Sequence, residues 1–187
     1  MPLNDWIPFV MAAIAIASLA ATVYLGYRQT QHSRAVLSVQ LAQEFRRDFD
    51  APEMLRSRGE LAVALSKGAE PDDDHVANFF ETMGYYVRQG ALDKEAVYND
   101  FSDYAMHYWP ALKDHIYKER SGPHGAPDYY DNFEWLNEAM LREYARRRRQ
   151  TVAQVTPSPD GVREYLSDEA TLVNDWEPAK RTRHRAK

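Results

Sequence analysis

Arg58 falls inside an apolar stripe of Met54, Leu61 and Leu65 set at helical spacing. A guanidinium on such a face needs a carboxylate partner or a route to water. Two kinds of chemistry follow. One is a buried ion pair that fixes packing. The other is a pocket for an anionic ligand, walled by aromatics such as Tyr104 and Tyr108, as a sensor or an enzyme would use. Asp103, Glu134 and Glu138 all lie on expected helices and are the candidate partners.

The other chemistry-bearing residues read more plainly. "DDDH", Asp72 to His75, offers ligands for a divalent ion. Consecutive helical residues point in different directions, however, and an acidic run at a helix start suits the helix dipole. His107 and His115 are eight residues apart, about 12 Å along a helix. One metal bridges them only if Pro110 bends the chain sharply. In "NFFETMGYYVRQGALDKE" the residues Phe79, Phe80, Met83, Tyr86 and Val87 line one face with Val76. Glu81 lies nearly opposite, beside Arg88, and reads as a solvated carboxylate. The turn lacks the alternating Asp/Asn ligands of a calcium-binding hand. Trp135 stands opposite the Phe133–Met140 face and reads either as a contact surface or as packing against the tail or a neighbouring helix. There is no GxSxG, Walker, HExxH or dinucleotide pattern. The chain has no cysteine, which excludes disulfides, thiolate zinc sites and thiol nucleophiles. No catalytic, metal or cofactor-binding residue is assigned, and no cofactor is expected.

The elements that must position these residues are uneven in charge. The net charge of −5 over 187 residues hides a neutral head, an acidic body and a basic tail. From Trp6 to Tyr27 no formal charge occurs. Roughly 20 apolar helical residues cross a bilayer core. Trp6, Tyr24 and Tyr27 suit its two interfaces, and the absence of an N-terminal basic cluster argues against a secretory signal. Residues 1–28 therefore read as a transmembrane anchor. Arg28, Arg34, Arg46 and Arg47 follow it, placing the N-terminus outside and the body in the cytoplasm. Ala13, Ala17 and Ala21 form a small-residue stripe suited to helix packing within a membrane.

Residues 29–149 read as an antiparallel bundle of about five helices in an all-α fold. Leu37, Leu41, Phe45 and Phe49 recur at helical spacing. Asp50 and Asp93 are expected N-caps, with Pro52 in a first turn. Gly68 and Gly90 are expected left-handed helix stops. Pro110 should kink or restart its helix, and a further helix should begin near Asp128. Residues 150–187 read as a flexible basic tail opening with "TPSPDG". A short amphipathic helix there would carry Val162, Tyr165, Leu166, Leu172, Val173 and Trp176. Tyr165, Leu166 and Trp176 then join Trp135 as contact residues for the body or for a partner. "RRRR" from Arg146 and the terminal "KRTRHRAK" would tether anionic lipid or nucleic acid. The acidic body argues against nucleic acid as the main partner.

The run "FFETMGYYVRQGALDKEAVYNDFSDYAMHYWPAL", with "LAQEFRRDFDAPEMLRSRGELA" upstream and "YYDNFEWL" downstream, resembles a bacterial family of unknown function. That resemblance spans roughly residues 5–140. It implies one N-terminal membrane helix, a compact helical domain and an inner-membrane setting, and it brings no activity or site residues. The function expected is therefore a membrane-anchored, cytoplasmic helical scaffold, touching the bilayer and either a protein partner or a second copy of itself. A ligand-sensing or enzymatic domain around Arg58 is the rival.

Overall fold

A computed structural model describes the backbone of residues 7–71, 74–122 and 125–185; the side chains described exclude 7–10, 13–14, 30–34, 74 and 173–185. Every regular element described is a helix: α1 (Ile7–Phe49), α2 (Pro52–Ser66), α3 (Asp74–Arg88), α4 (Lys94–Arg120), α5 (Asp131–Arg148), the single turn α6 (Val152–Val155) and α7 (Pro159–Arg185).

α1 runs unbroken through the head into the body, about 65 Å at 1.5 Å per residue. Its last turns are held by aromatic contacts. Phe45 meets Phe79 edge-on at 5.3 Å, and Phe49 meets Phe101 at 5.4 Å and Tyr104 at 4.6 Å. In its first half Met11, Ile16, Leu19, Val23 and Leu25 are exposed.

The N-terminal membrane anchor is not upheld. Among the described residues, no helix is long and apolar enough to cross a membrane. The helix has the length, but Ala12, Ala15, Ala17, Ser18, Ala20, Ala21, Thr22 and Gly26 fill much of the described stretch. Such small or hydroxylated residues contribute far less to transfer into hydrocarbon than Leu, Ile, Val or Phe.

Several local signals act as their chemistry dictates. Asp93 caps α4 by accepting from the Ala96 N–H at 2.9 Å. Gly68 and Gly90 adopt φ of +65° and +67°, the left-handed conformation that stops a helix. Other signals are overridden. Ala51 rather than Asp50 is the N-cap of α2, with Pro52 next to it, and Asp50 instead forms an ion pair with Arg46 at 3.2 Å. α4 passes through Pro110 as one helix. α5 starts three residues later than expected, after Tyr130, which is buried at a φ of +58°.

The core is aromatic. Phe80 stacks on Phe133 at 5.0 Å, and Trp109 meets Phe133 edge-on at 5.2 Å. Gly84 lets α3 approach α5 directly. A Cβ there would stand 2.2 Å from the Asn132 carbonyl oxygen. The tail is no loose appendage. α7 is a 27-residue helix, and its pairing with α2 is the most extensive between any two helices described.

Candidate functional site

Arg58 is 4% exposed, at the middle of α2. Its partner is none of the three carboxylates expected. Asp103 pairs with His107 through Nδ1 at 3.4 Å. Glu134 accepts from Arg120 at 2.6 Å and from the Tyr117 hydroxyl at 2.5 Å. Glu138 accepts from Arg142 at 3.1 Å. The partner is Glu169 on α7. Arg58 Nε donates to Oε2 at 2.8 Å and Nη2 to Oε1 at 2.6 Å. This is the two-pronged geometry in which a guanidinium matches a carboxylate.

The surroundings complete a clamp. The Tyr108 hydroxyl donates to Glu169 Oε2 at 2.6 Å from a side chain with no exposed surface. The guanidinium carbon lies 4.1 Å from the centre of the Phe49 ring and 4.9 Å from that of Tyr104, within cation–π range. Tyr165 closes the outer side, meeting Tyr108 edge-on at 5.7 Å and stacking on His107 at 4.4 Å. Its hydroxyl is buried and finds no partner among the described residues. Leu166 and Val162 are buried beside it. Four helices thus contribute: α1 through Phe49, α2 through Arg58, α4 through Tyr104 and Tyr108, and α7 through Glu169.

The ionisation states are fixed strongly. Burial works to lower the Arg58 pKa, but the bonds and charge of Glu169 outweigh it and raise it. Burial, reinforced by the Glu169 charge, holds the Tyr108 phenol well above its ordinary value. Burial likewise raises Tyr165. The clamp is therefore a guanidinium and two neutral phenols around a carboxylate. Both Glu169 oxygens accept within it, while the Tyr165 hydroxyl at its edge has no partner among the described residues.

The remaining sequence candidates scatter. Glu81 is not solvated. It accepts from the Phe133 N–H at 2.8 Å and the Asn132 amide at 2.6 Å, which makes it a carboxylate cap supplied to α5 by α3. Trp135 is half-buried beneath Arg88, whose guanidinium lies 5.6 Å from its ring. Tyr165 and Leu166 are engaged inside the chain by the docked α7. The side chains of Trp176 and Ala13 lie outside the described residues, while Ala17 and Ala21 are exposed on α1. Asp72 and Asp73 also lie outside them, and His75 Nδ1 sits 2.9 Å from Ser57 Oγ, linking α3 to α2. His107 and His115 do not converge. His115 instead lies with Glu70 and Glu119, one ligand atom of each within 4.8 Å of the others, on a surface where Lys118 also reaches Glu70 at 3.2 Å. The basic run is largely engaged: Arg146 and Arg147 bond Glu143 at 2.5 and 2.7 Å, Arg147 also bonds Glu95, and Arg148 lies over Tyr144 at 4.5 Å.

One family model, described as Domain of unknown function (DUF4760), matches residues 9–140. No curated protein and no solved structure matches the chain. The matched span includes Phe49, Arg58, Tyr104 and Tyr108 and ends before Glu169.

Proposed function

The chain belongs to the family of the domain of unknown function DUF4760, and on that footing we propose that it is a helical interaction module that pairs with a second copy of itself through the first half of α1. The observation that carries this is the bare apolar surface of that half-helix. Ile16 is 69% exposed, and Leu19, Val23 and Leu25 are each more than three-fifths exposed. Residues 11–27 span about 25 Å of helix, and every one of them whose side chain is described is exposed. Contiguous exposed apolar surface on that scale marks a contact site.

The spacing supports a helical partner. Ile16, Leu19 and Val23 follow the alternating three- and four-residue steps of a helix–helix seam. At about 100° per residue, Ala17 and Ala21 face away from that seam. A seam of this kind is self-complementary when two copies meet about a two-fold axis. The clamp at Arg58 favours a packing role, since both oxygens of Glu169 are taken up by Arg58 and Tyr108.

Light scattering coupled to gel filtration, in a mild detergent and without it, tests the reading. The full chain should run as a dimer, and the pair Ile16→Glu and Leu19→Glu should run as a monomer with unchanged circular dichroism. A monomeric wild-type chain, or a dimer indifferent to both charges, would overturn it.

A further inference from the structure

We propose that the groove between α2 and α4 is a binding site for a glutamate borne on an amphipathic helix, and that α7 is its occupant in cis, open to replacement by such a helix in trans. This does not depend on pairing through α1. The receiving half of the clamp lies wholly inside the family domain. Arg58 offers two donors and Tyr108 a third, all converging on one carboxylate, with Phe49 and Tyr104 as walls. The carboxylate itself comes from outside the matched span. The matched domain carries a guanidinium and a phenol whose carboxylate acceptor it does not itself supply, and burying them without one is costly.

The occupant shows what the groove selects. Val162, Leu166 and Glu169 are the most deeply buried residues described on α7, with Tyr165 and Ala170 packed beside them. Those steps of three and four are the anchor pattern of a helix lying in a groove. The chain also reaches α7 through a segment containing Pro157 and Pro159, past the single turn α6. α7 is an imperfect fit, since docking buries the Tyr165 hydroxyl without a partner. A helix lacking that hydroxyl would avoid the penalty.

The same carboxylate chemistry could be met by a small free acid, and two arms on the full-length chain separate the sources. Glu169→Ala removes the equivalent of one acetate. Added sodium acetate should raise its melting temperature saturably, against sodium chloride of equal ionic strength, and should not do so for Arg58→Met/Glu169→Ala. Should Glu169→Ala not fold in chloride, its refolding yield in acetate against chloride becomes the readout. No acetate-specific response in either form, or an equal response in the double variant, overturns the carboxylate site. In the second arm, a labelled peptide of residues 158–172 is titrated onto Glu169→Ala. It should bind at least tenfold more tightly than the same peptide carrying Glu169→Gln. Equal binding, or none, overturns the helix as ligand, and acetate rescue alone would make the site one for small acids.

Discussion

Removing one partner of the Arg58–Glu169 clamp should cost far more than removing both. Arg58→Met leaves the Glu169 carboxylate buried with only the Tyr108 hydroxyl at 2.6 Å. Two charge-assisted bonds vanish, each contributing about 1.5–3 kcal/mol, along with cation–π contacts to Phe49 and Tyr104 of about 1–2 kcal/mol. The stranded charge adds its own desolvation cost, and stranded buried ions typically destabilise by about 3–5 kcal/mol in all. Glu169→Leu strands the guanidinium and should cost a similar amount. In Arg58→Met/Glu169→Leu no charge remains, and apolar replacement of a buried pair is often close to neutral. For a chain of this length, each single variant should therefore melt about 6–20 °C below wild type. The double variant should recover most of that loss.

Urea unfolding followed by far-UV circular dichroism, on all four members of the cycle, reads the coupling directly. The slope of unfolding separates two modes of loss. If α7 undocks while the body stays folded, the slope falls or a second transition appears. Single variants costing under about 1 kcal/mol, with losses that simply add in the double, would refute the clamp as a desolvated pair, since that is the behaviour of a solvated surface bridge.

Gly84→Ala should destabilise the bundle despite the better helix propensity of alanine, which is worth about 1 kcal/mol. A Cβ 2.2 Å from the Asn132 oxygen must push α3 from α5, and overpacking of this kind costs about 1–3 kcal/mol; a melting temperature above wild type would sink the close-approach reading. At the end of α5, hydrogen bonds from Arg146 and Arg147 hold the Glu143 carboxyl down to about 2 from an ordinary 4.5. The unfolded chain then binds the proton first as acid is added. The stability that Glu143 contributes is complete above about pH 4.5 and drains away as the pH falls towards 2. Carboxyl titration by NMR should place Glu143 low, and the stability gap between wild type and Glu143→Gln should narrow over that range. A gap constant with pH would contradict it.

Much of the architecture was legible in the sequence because local chemistry decided it. Asp93, Gly68 and Gly90 end or begin helices through their own backbone bonds, whatever packs nearby. The stripes through Phe79, Phe80 and Met83, and through Phe101 and Tyr108, point inward because a helix has one period. Arg58 stood out as a charge on an apolar face, and Tyr104 and Tyr108 do flank it. Its partner was hidden because nothing local marks Glu169. It lies 111 residues away, on a polar-looking helix after a Pro-rich segment that reads as flexible. Glu81 misled for a related reason. It does face away from the stripe of its own helix, but the bare N-terminus of α5 arrives there from a distant part of the chain. The head misled through length, since an uncharged helix is not thereby an apolar one.

The separation of Arg58 from Glu169 also has a consequence in time. A ribosome adding about 5–20 residues per second makes Glu169 about 6–20 s after Arg58. Tyr104 follows within the first half of that interval, and from then until Glu169 appears the aromatic walls have no acid for the guanidinium between them. Closing Phe49 and Tyr104 over an unpaired cation is costly, so Arg58 stays wet and α2 stays loosely seated. The last helix synthesised is thus the one that lets the oldest part of the body shut, and a chain cut short between α5 and α7 would carry nearly all of the fold without the charge that seals it.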